Sequence, residues 1–142
     1  MKRIGCDISQ LIHTNYAAGV QRVVVETHKE LTKLAINSNF EFIGLNLSGK
    51  MNSNLHPYIA SDPMLSNMQE DITNLDAILC LDANVGFIHK AAKEGNFNEP
   101  IISLLHDLLP ITNPELFQFG DKGKYLIAYR VYLMKMIEMS NK

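Results

Sequence analysis

The sequence predicts an α/β fold, a Rossmann-like parallel sheet with helices on both faces. Three observations support this prediction. Apolar runs of strand length alternate along the chain with segments of helical period. The runs at residues 76–81 and 100–105 are almost continuously apolar, as in strands covered on both faces. Both runs end at polar residues, and parallel sheets gather such residues at the edge where ligands bind.

The chain has the length and composition of one globular domain. Its 142 residues are 46% hydrophobic and 20% charged, and a chain of this length buries about 68–70% of its unfolded surface. We therefore treat residues 1–142 as a single Rossmann-like domain. The 13 basic and 15 acidic residues give a formal charge of -2, so there is no overall basic field that would attract nucleic acid.

The first half of the chain predicts strand, loop, helix and strand. Residues 3–8 are short and partly apolar, and a polar loop follows as far as Gly19. From Val20, apolar residues recur with a period near 3.6 and charged residues take the outer face, which predicts a helix. Polar residues at 37–39 end this helix, and residues 40–47 predict a second strand.

The second half continues the alternation after a less regular segment. Residues 48–74 contain two prolines and no sustained period, so we expect a loop with at most a short helix. The runs at 76–81 and 100–105 predict two buried strands, and residues 85–93 between them predict a short helix. Residues 122–139 predict a final helix.

That final helix carries apolar side chains on more than one face. In a small domain this leaves apolar surface without an obvious cover. Its basic residues do not form a single polar face, which argues against a helix lying in a lipid surface. We expect a partner chain, or a missing carboxyl-terminal domain, to cover it.

The cysteines and histidines predict neither disulfides nor a metal site. Cys6 and Cys80 lie in apolar runs and are too few for a disulfide framework, so we expect them to pack in the core of a reduced protein. No histidine pair has a metal-ligand spacing such as His-Glu-x-x-His. The chain has no signal-peptide pattern and no run of 18 apolar residues, which predicts a cytoplasmic protein that spans no membrane.

Polar residues that follow the later strands are candidates for chemistry. His106 and Asp107 end the last apolar run, and a histidine there can donate or accept a hydrogen bond near neutral pH. Neighbours in an extended segment point to opposite faces, so Asp107 need not contact His106. An equally supported alternative is that His106 and Asp107 only cap the loop that follows the strand. Asp82 is either a turn residue or a carboxylate that faces a ligand.

The loop before the first long helix is a second candidate region. A glycine just ahead of a helix, here Gly19, lets a backbone approach a ligand while free amides point at an anion. The loop has neither the GxGxxG spacing nor a P-loop, so a glycine chosen only for its backbone angles remains an alternative. Arg22 lies in the first helical turn, where it is either a phosphate ligand or a solvated side chain.

Two stretches of the chain together resemble the amino-terminal half of glycosyltransferase family 4, the retaining enzymes of the GT-B fold. The first is Asp-Ile-Ser at 7–9 followed by Gly-Val-Gln-Arg-Val at 19–23. The second and more specific one is Leu-His-Asp-Leu-Leu-Pro-Ile-Thr-Asn-Pro-Glu-Leu-Phe at 105–117. It resembles that family's His-Asp-x-x-Pro segment with a downstream Pro-Glu-x-Phe. Leu-Cys-Leu-Asp at 79–82 fits the strand and aspartate between them.

The resemblance implies a two-domain enzyme that transfers sugar from a nucleotide-sugar to a saccharide or lipid-linked acceptor. The first domain mainly holds the acceptor and the second mainly holds the nucleotide. Carried over, His106 hydrogen-bonds a sugar hydroxyl near the transferring centre, and the loop at Gly19 lies near the donor diphosphate or the acceptor. Arg22, Asp82 and Asp107 become substrate-binding candidates. No cofactor is implied besides the donor substrate, and a lipid-linked acceptor brings the protein to the inner face of the membrane.

The family's second domain, with its Glu-x7-Glu motif, has no counterpart in these 142 residues. We therefore expect the chain alone to lack transferase activity and the full-length protein to be the glycosyltransferase. The alternative is a non-catalytic Rossmann-like module that binds a saccharide or a protein. A flavodoxin-like or receiver-like domain is the weakest interpretation, because the first strand is followed by neither an acidic cluster nor a phosphate loop.

Overall fold

A five-stranded sheet in the order β3-β2-β1-β4-β5 forms the centre of the structure, and every neighbouring pair is parallel. The computed structural model describes residues 1–95, 97–106, 109–117 and 124–140. Helices cover both faces, which confirms the predicted α/β, Rossmann-like fold. The strands are β1 (Lys2–Asp7), β2 (Phe40–Leu45), β3 (Met68–Gln69), β4 (Ala77–Cys80) and β5 (Ile101–Ser103).

The helices occur where the helical periods predict them and at several further places. The predicted helices from Val20 and at 85–93 correspond to α2 and α4, and the predicted final helix corresponds to α6. Two short 3₁₀ helices, Pro63–Ser66 and Pro114–Phe117, complete the set in the described part of the chain. The α-helices are α1 (Ser9–Thr14), α2 (Gly19–Ala35), α3 (Pro57–Ala60), α4 (Gly86–Glu94), α5 (Leu109–Thr112) and α6 (Lys124–Ser140).

Each face of the sheet has its own apolar core. On one face α4 and α6 pack against side chains of β2 and β4, among them Ile43 and Ile78. On the other face α1, α2 and α3 pack against β1 and the end of β4, among them Cys6 and Leu81. Alternate residues of β4 therefore enter different cores, which explains why its sequence is continuously apolar.

The loop predicted between β1 and Gly19 contains an additional helix, so that prediction is wrong for residues 9–14. The helix α1 buries Leu11 and Ile12 against the core that contains α2. It ends at Asn15, whose φ of 51° is left-handed. Six residues are too few for a clear helical period in the sequence, and burial of these two side chains stabilises a helix this short.

Residues 48–74 contain the short helix α3, as expected, together with a 3₁₀ helix and the edge strand β3. The 3₁₀ helix packs very closely on β2, because a Cβ on Gly44 would lie 2.2 Å from the carbonyl oxygen of Met64. Only glycine allows this approach. The 3₁₀ helix and β3 depend on contacts with β2, which explains why the local sequence did not predict these two elements.

The strand β5 is not buried on both faces, contrary to the prediction for residues 100–105. Ile101 packs against the core that contains α4 and α6. Ile102, on the opposite face, is 56% exposed, and Leu104 and Leu105 are also exposed. The strand lies at the edge of the described sheet, and the helices of the second core cover β1, β2 and β4 but not β5.

The helix α6 has one buried and one exposed apolar side. Tyr129, Tyr132 and Met139 are buried in the core that it shares with α4. The exposed side consists of Ile127, Val131, Met134 and Ile137, and we call it the α6 apolar face. The sequence predicted apolar surface on this helix, and these four side chains are exposed.

Candidate functional site

The strand order reverses between β1 and β4. The chain runs outward from β1 through β2 to β3, and then returns to the other side of β1 to form β4 and β5. In open parallel sheets, ligands bind beyond the carboxyl ends of the strands at such a reversal. We call this place the β1/β4 crevice, and it is the region where the sequence predicted polar site residues.

Asp82 lies at this crevice, two residues after β4, and it is only 4% exposed. Its Oδ1 accepts a hydrogen bond of 2.9 Å from the backbone N–H of Asn84. Its Oδ2 is also buried, and among the described residues no donor bonds it in good geometry. A buried carboxylate oxygen without a donor is costly, so a ligand that donates a hydrogen bond here gains affinity.

The environment raises the pKa of Asp82, and burial is the largest cause. The backbone hydrogen bond from Asn84 opposes this shift, followed by the charge interaction with His106 and the approach of the Gln21 side chain. Gln21 lies in the first turn of α2. The Asp82 carboxyl group therefore interacts with residues from three segments of the chain: Asn84 after β4, Gln21 of α2 and His106 after β5.

His106 lies beside the end of β4. Its Nε2 hydrogen-bonds the carbonyl oxygen of Leu81, the residue before Asp82. A carbonyl only accepts, so Nε2 is the donor, and in a neutral ring Nδ1 is then the acceptor atom. The structure thus brings His106 and Asp82 together, two of the residues that the sequence singled out. Asp107, the third of that group, lies outside the described residues.

Asp7 is a residue of this crevice that the site prediction missed. It ends β1 and is 3% exposed, and its Oδ1 accepts a 3.0 Å hydrogen bond from the backbone N–H of Ser9. Burial is the largest cause that raises the pKa of Asp7 to about 6; the neighbouring Asp82 carboxyl group acts in the same direction, and the hydrogen bonds from Ser9 oppose the shift. The same signal that marked Asp82, a polar residue after an apolar run, was present at Asp7.

Ser9 joins the ends of β1 and β2 beside the crevice. Its hydroxyl donates to the carbonyl oxygen of Leu45 at 3.2 Å and accepts from the backbone N–H of Leu47 at 2.8 Å. Both hydrogen-bonding roles of the hydroxyl are used inside the protein. Ser9, which is fully buried, therefore positions the backbone around Asp7.

Gly19 begins α2, two residues before Gln21, the residue of α2 that interacts with Asp82. Its φ is not in the left-handed region, and a Cβ placed on it meets no described atom within 4 Å. Nothing in the described fold therefore demands a glycine at this position. The amino end of α2 also has no side-chain cap, so the first amides of the helix have no side-chain acceptor.

Arg22 packs against α3. Its guanidinium lies over the ring of Tyr58 in α3, 5.4 Å from the ring centre. The hydroxyl of Tyr58 in turn donates to Glu26, one turn further along α2. The contact places Arg22 on the outer side of α2, and its role as a substrate ligand stays a prediction.

The remaining sequence candidates behave as packing residues. Cys6 and Cys80 are free and buried, and burial raises the pKa of both thiols, so neither is a reactive thiolate.

Within the described ranges, no three His, Cys, Asp or Glu side chains are grouped to hold a metal ion. None of the described helices is long and apolar enough to cross a membrane.

Comparisons of the chain with protein-family models, curated proteins and solved structures find no match.

Proposed function

We propose that this chain is the acceptor-binding part of a retaining glycosyltransferase, which transfers a sugar from a nucleotide-sugar to a saccharide or lipid-linked acceptor. The observation that carries the proposal is the buried carboxyl group of Asp82 beside His106 at the β1/β4 crevice, whose Oδ2 lacks a well-aligned donor among the described residues. Sugar hydroxyls both donate and accept hydrogen bonds. One hydroxyl donates to Asp82 while another donates to Nδ1 of His106.

The charge of the crevice favours an acceptor over a nucleotide diphosphate. Asp7 and Asp82 place two carboxyl groups close enough for the charge of Asp82 to raise the pKa of Asp7. Transfer from a nucleotide-sugar requires positive groups around the departing diphosphate, and carboxylates repel it. A neutral, hydroxyl-rich ligand avoids this repulsion, which agrees with the acceptor role that the resemblance implies.

The resemblance assigns roles to the individual residues within this proposal. His106 is the residue nearest the transferring centre, and Asp82 orients the acceptor. Gly19 supports a close approach of substrate to backbone, because the described fold gives no other reason for a glycine there. Arg22 and Asp107 hold the surrounding loops or contact substrate. The donor-binding domain, and the protein's activity as a whole, belong to the same proposal.

The first test is saccharide binding by the 142-residue chain. Mono- and disaccharides are titrated into the ¹⁵N-labelled protein, with uridine diphosphate as the comparison ligand. We expect at least one saccharide to shift the amide signals of Gly19, Gln21 and Asn84, and uridine diphosphate to leave them unchanged. Asp82→Asn keeps an acceptor for Asn84 but loses the carboxylate, so binding weakens by about tenfold or more, as for a hydrogen bond to a charged group.

The matched control is Asp71→Asn, which removes an exposed carboxylate that accepts hydrogen bonds from Thr73 and from no residue of the crevice. This variant is expected to bind saccharide as the unchanged protein does. Circular dichroism shows whether each variant is folded, and His106→Ala provides a second variant of the crevice if Asp82→Asn unfolds. Binding of no saccharide, or equal binding by the Asp71 and Asp82 variants, contradicts the proposal.

A non-catalytic saccharide- or protein-binding module is the second candidate, and the α6 apolar face favours its protein-binding form. The two candidates differ in turnover. Transfer of sugar from a nucleotide-sugar by the natural protein that carries this chain, with loss of turnover in His106→Ala, supports the enzyme. Saccharide binding without any turnover supports the module.

A further inference from the structure

A groove of about 390 Å³ lies near the carboxyl ends of β2 and β3. One wall is the turn at residues 46–49, in which Gly49 has a φ of 66°. The other wall is the side of α4 that carries Phe87 and Lys90. Its volume is within the range of small-molecule sites, about 300–1,000 Å³. Neither the sequence candidates nor the proposed function uses this groove.

Three charged side chains line the groove without neutralising one another. Glu70 follows β3, and Lys90 and Glu94 lie one turn apart on α4. All three are exposed, and none forms an ion pair with another described residue. The lining therefore has a formal charge of -1, with two carboxylates available to accept hydrogen bonds and one ammonium available to donate them.

An aromatic ring lies among these charges. Phe87 is half-buried in the first turn of α4. Its ring meets the ring of His13 edge-on, with centroids 5.2 Å apart and an interplanar angle of 63°. An aromatic face attracts a cation, and the two carboxylates attract the same charge.

We propose that this groove binds a small hydroxylated amine, a compound with one ammonium group and several hydroxyls. The ammonium group pairs with Glu70 and Glu94 against the Phe87 ring, and Lys90 donates to hydroxyl oxygens of the ligand. A neutral polyol satisfies Lys90 but leaves both carboxylates without a cation. A simple alkylamine satisfies the carboxylates but leaves Lys90 without an acceptor.

Three sugars that differ at one position test this proposal: glucosamine, glucose and N-acetylglucosamine. Each is titrated into the ¹⁵N-labelled chain at slightly acidic pH, where the amine of glucosamine is protonated. We expect glucosamine to shift the amide signals of Gly49, Lys90 and Ala91, and the two neutral sugars to leave them nearly unchanged. The affinity for glucosamine falls as salt is added, because the ion pairs are exposed.

Substitutions in the groove identify the groups that bind. Glu70→Gln and Glu94→Gln each raise the Kd for glucosamine about two- to fivefold, the effect of one exposed ion pair. The control Glu30→Gln removes an exposed glutamate of α2 and leaves the Kd unchanged. Asp82→Asn also leaves it unchanged, which separates this groove from the β1/β4 crevice and from the proposed function.

Several results overturn the proposal. Equal shifts with all three sugars show that the amine is not recognised. If Asp82→Asn loses glucosamine binding, glucosamine binds at the β1/β4 crevice and not in this groove. If Glu30→Gln loses it, the affinity depends on the overall charge of the protein and not on the groove. Absence of any shift at Gly49, Lys90 and Ala91 shows that the groove does not bind the amine.

Discussion

Asp7 is a buried carboxyl group that the folded chain holds close to a second one. Burial raises its pKa to about 6 from an ordinary value of 3.8, and the carboxyl group of Asp82 acts in the same direction. The hydrogen bonds from Ser9 offset only part of this. The folded state therefore holds the proton of Asp7 more tightly than the unfolded state does. This contribution to stability is present below pH 4 and is lost as the pH rises through about 6.

We expect Asp7→Asn to stabilise the chain at neutral pH. Asparagine keeps the acceptor for the backbone of Ser9 but carries no charge to bury. The gain in the free energy of unfolding is on the order of 2–3 kcal/mol above pH 7 and near zero at pH 4. Urea unfolding followed by circular dichroism measures both values. The control is Asp71→Asn at the surface, and a gain that is the same at both pH values refutes the assignment.

The sequence identified some residues of the crevice and missed others for a physical reason. Asp82 and His106 follow long apolar runs, so their position at the ends of strands could be predicted. Asp7 follows a shorter and more mixed run, and Gln21 lies on a helix that showed only its apolar period. Whether Gln21 faces the crevice depends on how α2 packs on the sheet. The spacing of residues along the sequence does not determine that packing.

At the scale of elements, a buried polar pair joins α2 to the 3₁₀ helix that follows α3. His28 Nδ1 lies 2.8 Å from Oδ2 of Asp62, and both side chains are fully buried. The other carboxylate oxygen of Asp62 accepts from the backbone N–H of Met64 and caps the 3₁₀ helix. Asp62 therefore holds both elements at once, and through them the close approach of Met64 to β2.

We expect Asp62→Ala to lower the free energy of unfolding by on the order of 3 kcal/mol. It removes the cap and leaves His28 buried without its partner, which costs far more than the loss of an exposed pair. The matched control is Glu30→Ala, which breaks the exposed pair with Lys33 and costs less than about 1 kcal/mol. Urea unfolding of the two variants provides the comparison, and equal losses contradict this role for Asp62.

Long elements could be predicted from the sequence, and short ones could not. The 17 residues of α2 show their period repeatedly, and the boundaries agree to within a residue or two. The helix α1 has 6 residues and β3 has 2, which is too few for a period. Tertiary packing determines these short elements: Leu11 and Ile12 enter a core, and β3 adds to the edge of β2.

At the scale of the whole molecule, the described structure leaves apolar surface on the side of α6 and along β5. The alternation of strands and helices was enough to predict the fold class. The same alternation did not predict the exposure of β5, because an apolar run has the same sequence pattern in a central strand as in an edge strand. Ile102 shows the difference, since its partner on the adjacent strand, Leu79, packs against the second core.

The α6 apolar face leads to a prediction about stability that separates it from the buried side of the same helix. Ile127 and Met134 are 63% and 62% exposed, so Ile127→Lys and Met134→Lys change the free energy of unfolding by less than about 0.5 kcal/mol. Tyr132→Ala is the contrast on the same helix. It empties a place in the core and breaks the hydrogen bond to the carbonyl oxygen of Leu104, at a cost of about 3–5 kcal/mol.

Thermal unfolding and sedimentation of the same variants complete this test. The lysine variants also reduce any self-association of the chain, because they place charges in an exposed apolar patch. A loss of stability in the lysine variants as large as that of Tyr132→Ala shows instead that the α6 apolar face is buried in solution. If the lysine variants lose stability only at higher protein concentration, a second copy of the chain covers the α6 apolar face, because association then contributes to stability by mass action.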